Sequence, residues 1–151
     1  MTVQYRRATR VDVPAIVALL ADDILGATRD GNQFNFSNRY YEAFAEIDAD
    51  KNQYLCVVED DGNIVGTLQL SFIPGLARGG AKRGQIEAVR IATERRGQRI
   101  GEEMFAWAVE KCKSKGCSIV QLTTDKSRPD AHRFYDRLGF EPTHIGYKII
   151  L

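Results

Sequence analysis

The sequence predicts an α/β (α+β) domain built on one central mixed sheet with about four flanking helices, on three observations. Segments with helical apolar spacing alternate with short strand-like runs along the whole chain. The turn Asp60-Asp61-Gly62-Asn63 joins two of those runs as a hairpin. The length, 151 residues, suits a single domain over 1–151. A chain of that size buries roughly 70% of its unfolded surface and needs no disulfide or metal staple.

Residues 3–8 read as the first strand. Thr9 or Asp12 then caps a helix with Pro14 in its first turn and Val13, Ile16, Val17 and Leu20 on one face. Residues 26–37 read as a loop, and a second helix carries Tyr40, Tyr41, Phe44 and Ile47. The hairpin strands are 55–59 and 64–72, and Pro74-Gly75 with Gly79-Gly80 breaks the second into a mobile basic loop. A strand over 85–92 leads into a long helix whose apolar face is Ile100, Met104, Phe105, Ala108, Val109 and Cys112. Glu102 and Glu103 suit its first turn, Lys111, Lys113 and Lys115 its last, and Gly116 stops it. Residues 119–123 form a buried-type strand. Pro129 opens a short helix ended by Gly139, and 145–151 close the sequence as a strand.

Composition narrows the classes. At 44% hydrophobic and 27% charged residues the chain is neither disordered nor collagen-like. No apolar run approaches the roughly 20 residues of a membrane span, and the basic start lacks the apolar stretch of a signal peptide, so no membrane partner is expected. Cys56, Cys112 and Cys117 lack metal-like spacing and suit a reducing cytoplasm. His132 and His144 lack ligand-like spacing as well, so no metal is expected.

The net charge of +1 argues against a general polyanion binder such as a nucleic-acid protein. Charge is nevertheless segregated. Residues 78–99 carry seven bases against two acids, and 42–61 seven acids against one base. Such tracts are either two solvated surfaces or one anion-binding and one cation-binding end.

The chemistry concentrates where strand 85–92 meets the long helix through Arg96-Gly97-Gln98-Arg99-Ile100-Gly101. A helix N-terminus offers unpaired N–H groups and a positive dipole end, which suit phosphate, and Arg95, Arg96 and Arg99 add charge. A structural turn with stray arginines is the bland reading.

Those residues, with the preceding run Ile86-Glu87-Ala88-Val89-Arg90-Ile91 and the later run His132-Arg133-Phe134-Tyr135-Asp136-Arg137-Leu138-Gly139-Phe140, resemble the Gcn5-related N-acetyltransferase (GNAT) superfamily over nearly the whole chain. The resemblance implies a mostly antiparallel sheet with splayed parallel strands and a single N-acetyltransferase domain. It implies acetyl-coenzyme A as co-substrate, its pyrophosphate on Arg95, Arg96, Gly97, Gln98, Arg99, Ile100 and Gly101. Arg99 stands where the family has glycine; inside a helical first turn it would keep negative φ, which arginine tolerates. Val89 and Ile91 would align the pantetheine arm through their backbone. Asp130 stands where similar proteins have asparagine touching that arm.

For catalysis the resemblance points to Glu87 as base and Tyr135 as acid. The period of two puts Glu87 on the side of Val89 and Ile91, an apolar setting that would raise its pKa; pairing with a nearby arginine is the alternative. Tyr135 shares a helix face with Ala131, Phe134 and Leu138, which is equally a core position. Direct attack in a ternary complex on a primary amine follows. The first two helices and their loop would line the acceptor with Asp22, Asp23, Glu42, Glu46, Asp48, Phe34, Phe36, Tyr40 and Tyr41, suiting a cationic small molecule or a lysine-bearing peptide. A non-catalytic acetyl-coenzyme A-binding regulatory module is the alternative. Members of the superfamily often form homodimers, and the sequence does not fix the oligomeric state.

Overall fold

The structure, a computed structural model, describes residues 3–22 and 37–151. Among them five strands form one sheet in the order β1-β2-β3-β4-β5: β1 Gln4–Arg7, β2 Gln53–Asp60, β3 Asn63–Ile73, β4 Lys82–Ile91 and β5 Cys117–Leu122. The first four pair antiparallel in sequence order; β4 and β5 are parallel. Four long helices flank the sheet: α1 Val13–Leu20, α2 Asn38–Ala49, α3 Ile100–Ser114 and α4 Pro129–Arg137. The β2–β3 hairpin closes with Asp60 opposite Asn63, and Asp61 and Gly62 both take positive φ, the two-residue turn that matches strand twist. The loop expected over 26–37 lies, except for Ser37, outside the described residues. Ser37 caps α2 through a hydrogen bond from Arg39 N–H.

Helices cover both faces of the sheet, which explains why β2 runs Cys56-Val57-Val58 without a polar residue; all three are inaccessible. Cys56 and Val58 join Leu68, Leu70 and Ile86 against Ile100, Met104, Phe105, Ala108 and Cys112 of α3. Val57 faces Ile16 of α1, and Val13 and Val17 of α1 meet Phe44 of α2. The α3 stripe is the one the sequence predicts, except for Val109, which is only half-buried.

Asp12 is buried in front of α1 and accepts hydrogen bonds from Arg6 Nη1 at 2.7 Å, Arg6 Nη2 at 3.0 Å, Thr9 N–H at 2.7 Å and Thr9 Oγ1 at 3.1 Å. The Arg6 guanidinium holds its carboxyl below the ordinary value of 3.8. The folded value is depressed, so the stabilisation is present above the unfolded value and is lost as pH falls through the folded one. Asp12→Asn should therefore destabilise by about 2 kcal/mol at neutral pH. In urea titrations, wild type and variant should converge below the ordinary carboxylate range. A pH-independent difference would remove the charge from the explanation.

One expected element is absent. Residues 145–151 form no strand; the chain is exposed from Glu141 onward and makes no backbone bond to the described strands. The alternation in Ile145, Tyr147, Ile149 and Leu151 that predicts a strand is real, but none of the described strands pairs with it.

Candidate active site

The sheet opens at its parallel pair. β4 and β5 are in register from Lys82–Cys117 to Ile86–Leu122, where β5 ends and the chain leaves towards α4. β4 runs on to Ile91, so one backbone edge of 87–91 faces no strand among the described residues. Val89 and Ile91 lie on that free edge.

At the end of β4 the chain reverses through 92–99 into α3. The turn requires left-handed backbone at two positions, Gly97 with φ 79° and Arg99 with φ 64°. This corrects the expectation for Arg99. It precedes the helix, which begins at Ile100, and occupies a conformation that costs a non-glycine residue about 1–2 kcal/mol. Its side chain is 81% exposed and its Nε lies 3.5 Å from Glu102 Oε2. Among the described residues no side chain caps α3, which leaves its first N–H groups without a side-chain partner there, and none places an atom within 4 Å of where a Gly97 Cβ would be. A Cβ on Gly101 would sit 3.2 Å from Ile91 Cδ1 and 3.5 Å from Phe134 Cζ, so that glycine lets α3, β4 and α4 approach closely.

The arginines of the turn differ in occupation. Arg95 Nη2 meets Asp60 Oδ2 at 2.5 Å, and its Nε donates to Gln98 Oε1 at 3.0 Å. This half-buried brace ties the turn to the β2–β3 hairpin. Arg96 Nε donates to the Ile91 carbonyl at 3.4 Å, and Arg96 and Gln98 are otherwise exposed around the turn.

A β-bulge changes the reading of Glu87. Gln69 pairs with Glu87 and Thr67 with Arg90, so Ala88 and Val89 together oppose the single residue Leu68, with Ala88 at φ 53°. The extra residue breaks the period of two. Glu87 thus shares a face with Gln69 and Arg90, towards α1, while Ile91 meets Gly101 on the α3 face and Val89 packs on the same core cluster. Among the described residues the apolar surroundings predicted by alternation are absent, and Glu87 is exposed.

Tyr135 lies on the α3 face, half-buried, with ring centroids 5.5 Å from Phe105, 5.6 Å from Phe134 and 6.1 Å from Phe140. Burial raises its phenol above the ordinary 10.0, opposed by the charges of Arg128 and Arg90. Glu87 and Tyr135 therefore lie on opposite faces of the sheet. Asp130, exposed in the first turn of α4, is paired with Arg133. Cys56 and Cys112 are fully buried and their thiols are pushed up to about 12, which leaves them protonated and poor nucleophiles. His132 Nε2 lies 3.1 Å from the Asp125 carbonyl and His144 Nδ1 lies 2.6 Å from Thr143 Oγ1, both local contacts.

Sequence reasoning missed a row of uncharged polar groups beside Glu87. Gln53, Ser71, Gln85 and Gln121 stand in register across β2 to β5, with Gln69 next to them. Gln69 Nε2 and Ser71 Oγ donate to Gln53 Oε1 at 3.0 and 2.9 Å, and Gln121 Nε2 to Gln85 Oε1 at 2.6 Å. The available signal was polar residues at every second position of otherwise apolar strands. Of the acids expected to line an acceptor, Glu42, Glu46 and Asp48 are exposed on α2, and Asp22 accepts from Thr93 Oγ1 at 2.6 Å. Asp23, Phe34 and Phe36 lie outside the described residues.

A family model described as "Acetyltransferase (GNAT) family" matches residues 21–140, and the chain belongs to that family. A solved structure described as a transcriptional regulator from Bacillus halodurans C-125 is 45% identical, with a TM-score of 0.94 over 99% of this chain and all of that one. The aminoalkylphosphonate N-acetyltransferase of Salmonella typhimurium is 28% identical over 95% of this chain and 88% of its own length. The glucosamine 6-phosphate N-acetyltransferase of Trypanosoma brucei brucei is 39% identical over 52% of each chain.

Proposed function

We propose that the protein transfers an acetyl group from acetyl-coenzyme A to a small primary amine, by direct attack in a ternary complex, and works as a cytoplasmic homodimer. The observation that carries this is the free β4 edge of 87–91, which leads into the uncapped N-terminus of α3. An extended amide-bearing arm fits the first, as an added strand would. A pyrophosphate fits the second, where the open space around Gly97 admits it.

On this reading Arg96, Gly97, Gln98, Arg99, Ile100 and Gly101 hold the pyrophosphate, with Arg95 bracing the turn. Val89 and Ile91 align the arm, and Asp130 lies at its far side. Bound acetyl-coenzyme A supplies a thioester acetyl group. Glu87 accepts the proton of the incoming ammonium, and its exposed position lets a water carry that proton. Tyr135 returns a proton to the departing sulfur; its raised pKa keeps the phenol protonated across neutral pH.

For the acceptor, the amide row beside Glu87 supports an amine that also carries hydrogen-bonding groups. Relatives named for aminoalkylphosphonates and glucosamine 6-phosphate support the same view. The acids of α2 support a polycationic amine or a lysine-bearing peptide instead, and an amine panel separates the two. Nucleic-acid binding is less well supported: in the basic tract Arg95 pairs with Asp60, Lys82 Nζ donates to the Lys115 carbonyl, and Arg90 Nη1 to the Val89 carbonyl.

The test is thermal unfolding with acetyl-coenzyme A, and with ATP as phosphate control. Ligand at about 100 times its dissociation constant stabilises by roughly 2.7 kcal/mol. That raises Tm by about 5–10 °C for a chain of this size. A shift with acetyl-coenzyme A alone is expected. No shift at millimolar ligand overturns the cofactor and every role that depends on it. A shift without thiol release across the amine panel favours a regulatory binding module.

A further inference from the structure

Among the described residues, no hydrogen bond or ion pair holds the side chain of Arg83 in β4. The strand is regular from Arg83 to Glu87, ahead of the bulge at Ala88, so Arg83, Gln85 and Glu87 share the face towards α1. Gly84 and Ile86, between them, lie under α3. Arg83 is half-buried, and its cross-strand neighbours are apolar: Ile73 of β3 and Ile119 of β5. Comparable half-buried cations are held. Arg6 bonds Asp12 at 2.7 Å and Glu59 at 2.8 Å, Arg95 meets Asp60, and Lys82 donates to the Lys115 carbonyl at 3.0 Å.

The chemistry of the group limits what completes it. A guanidinium stays protonated, offers five N–H donors and accepts nothing. Between two isoleucines it loses part of its hydration, and charges near it are less screened than in open water. Its complement must therefore bring acceptor oxygens, and a carboxylate or phosphate meets the planar fork with two parallel bonds. Gln85 stands between Arg83 and Glu87. Its Oε1 accepts from Gln121 Nε2 at 2.6 Å, and among the described residues its own amide N–H groups have no partner. The backbones of Arg83 and Glu87 are about 13 Å apart along the strand. Both side chains are long, so a small molecule can span the gap between the two charged groups.

We infer that Arg83 determines acceptor specificity: it receives a carboxylate or phosphate at the far end of an acceptor whose amine lies at Glu87. The inference rests on the proposed function and narrows its acceptor to an amine that also carries a negative charge. Gln85 then faces the middle of the molecule and donates to a hydroxyl or carbonyl there. An acid at one end of the row and a base at the other fix which way round the acceptor lies. A polycationic amine in the same place would set a second ammonium against Arg83, a like-charge contact that the apolar flanks make worse.

The test uses primary amines of matched chain length that end in a phosphonate, a carboxylate, an alcohol or a second amine. Thiol release by the wild-type chain should favour an anionic member over the alcohol by at least about tenfold in kcat/KM, with the diamine last. Arg83→Gln should raise KM for that member about 10- to 100-fold with little change in kcat. Arg83→Lys should keep part of the preference, since it retains the charge and loses the fork. Arg83→Glu should turn the preference towards the diamine. Whether the phosphonate or the carboxylate leads tells which anion the acceptor carries. A wild-type chain that prefers the diamine, or is blind to the end group, overturns the inference without any variant. So does a preference that survives in Arg83→Gln. Calorimetric binding of the same amines without cofactor reads the subsite separately. Tighter binding of an anionic amine to wild type than to Arg83→Gln, with no acetyl-coenzyme A thermal shift, sinks the functional reading alone. A thermal shift with binding indifferent to the end group sinks the Arg83 subsite alone.

Discussion

Tyr135→Phe should lower kcat about 10- to 100-fold while leaving the dissociation constant of acetyl-coenzyme A within about twofold. The split follows from where the ring sits. Its contacts with Phe105, Phe134 and Phe140 are made by carbon atoms that phenylalanine keeps, so packing and cofactor affinity are retained. On the proposed mechanism the variant removes only the proton that Tyr135 gives the departing sulfur. The effect is at the low end for general acids because a thiolate is a fair leaving group without one. Burial raises the Tyr135 pKa, so the wild-type group stays protonated as pH rises past the ordinary 10.0. An alkaline fall of wild-type kcat caused by its ionisation should therefore lie above that value, and the variant should lack it. Stopped-flow or thiol-release kinetics over pH 6–11 check both statements, and an unchanged kcat in the variant removes Tyr135 from the chemistry.

The parts of the site that were legible in the sequence are those set by local rules. The apolar spacing of α3, the hairpin turn and the helix-opening glycine turn each follow from a few neighbouring residues, and all three stand where the sequence puts them. Glu87 and Arg99 show where such rules stop. The bulge at Ala88 depends on how β4 is matched to β3, a pairing between residues about twenty positions apart, and it moves Glu87 to the opposite face. Arg99 takes its left-handed backbone because the chain must reverse between a strand and a helix whose positions are fixed by packing, not because arginine favours it. The amide row is invisible along the sequence for the same reason: Gln53, Ser71, Gln85 and Gln121 become neighbours only through strand register. Residues 145–151 are a further case. Their alternation suits a strand, but a strand is a pairing, and none of the described strands pairs with them.

Gly84→Ala should destabilise the protein by about 2–3 kcal/mol, and Cys112→Ala should relieve part of that loss. Gly84 lies in β4 under α3, and a Cβ there would fall 2.3 Å from Cys112 Sγ and 3.0 Å from Cys112 Cβ. Cys112 is fully buried, so its sulfur has no free space to turn into, and the added methyl must push the helix off the strand. Removing the sulfur takes away the worse contact and leaves the one at 3.0 Å, so relief is incomplete. A double-mutant cycle by urea denaturation should give a favourable coupling of at least about 1 kcal/mol, as expected for residues in direct contact. Additive losses would mean that the strand, not the sulfur, absorbs the strain. The helix that Gly84 seats is also the one whose N-terminus receives the pyrophosphate in the proposed function. Gly84→Ala should then reduce the acetyl-coenzyme A thermal shift, whereas Asp12→Asn, destabilising by a similar amount from beside α1, should leave it intact. If both variants keep the full shift, the close approach of α3 to β4 supports the fold without setting the position of the cofactor turn.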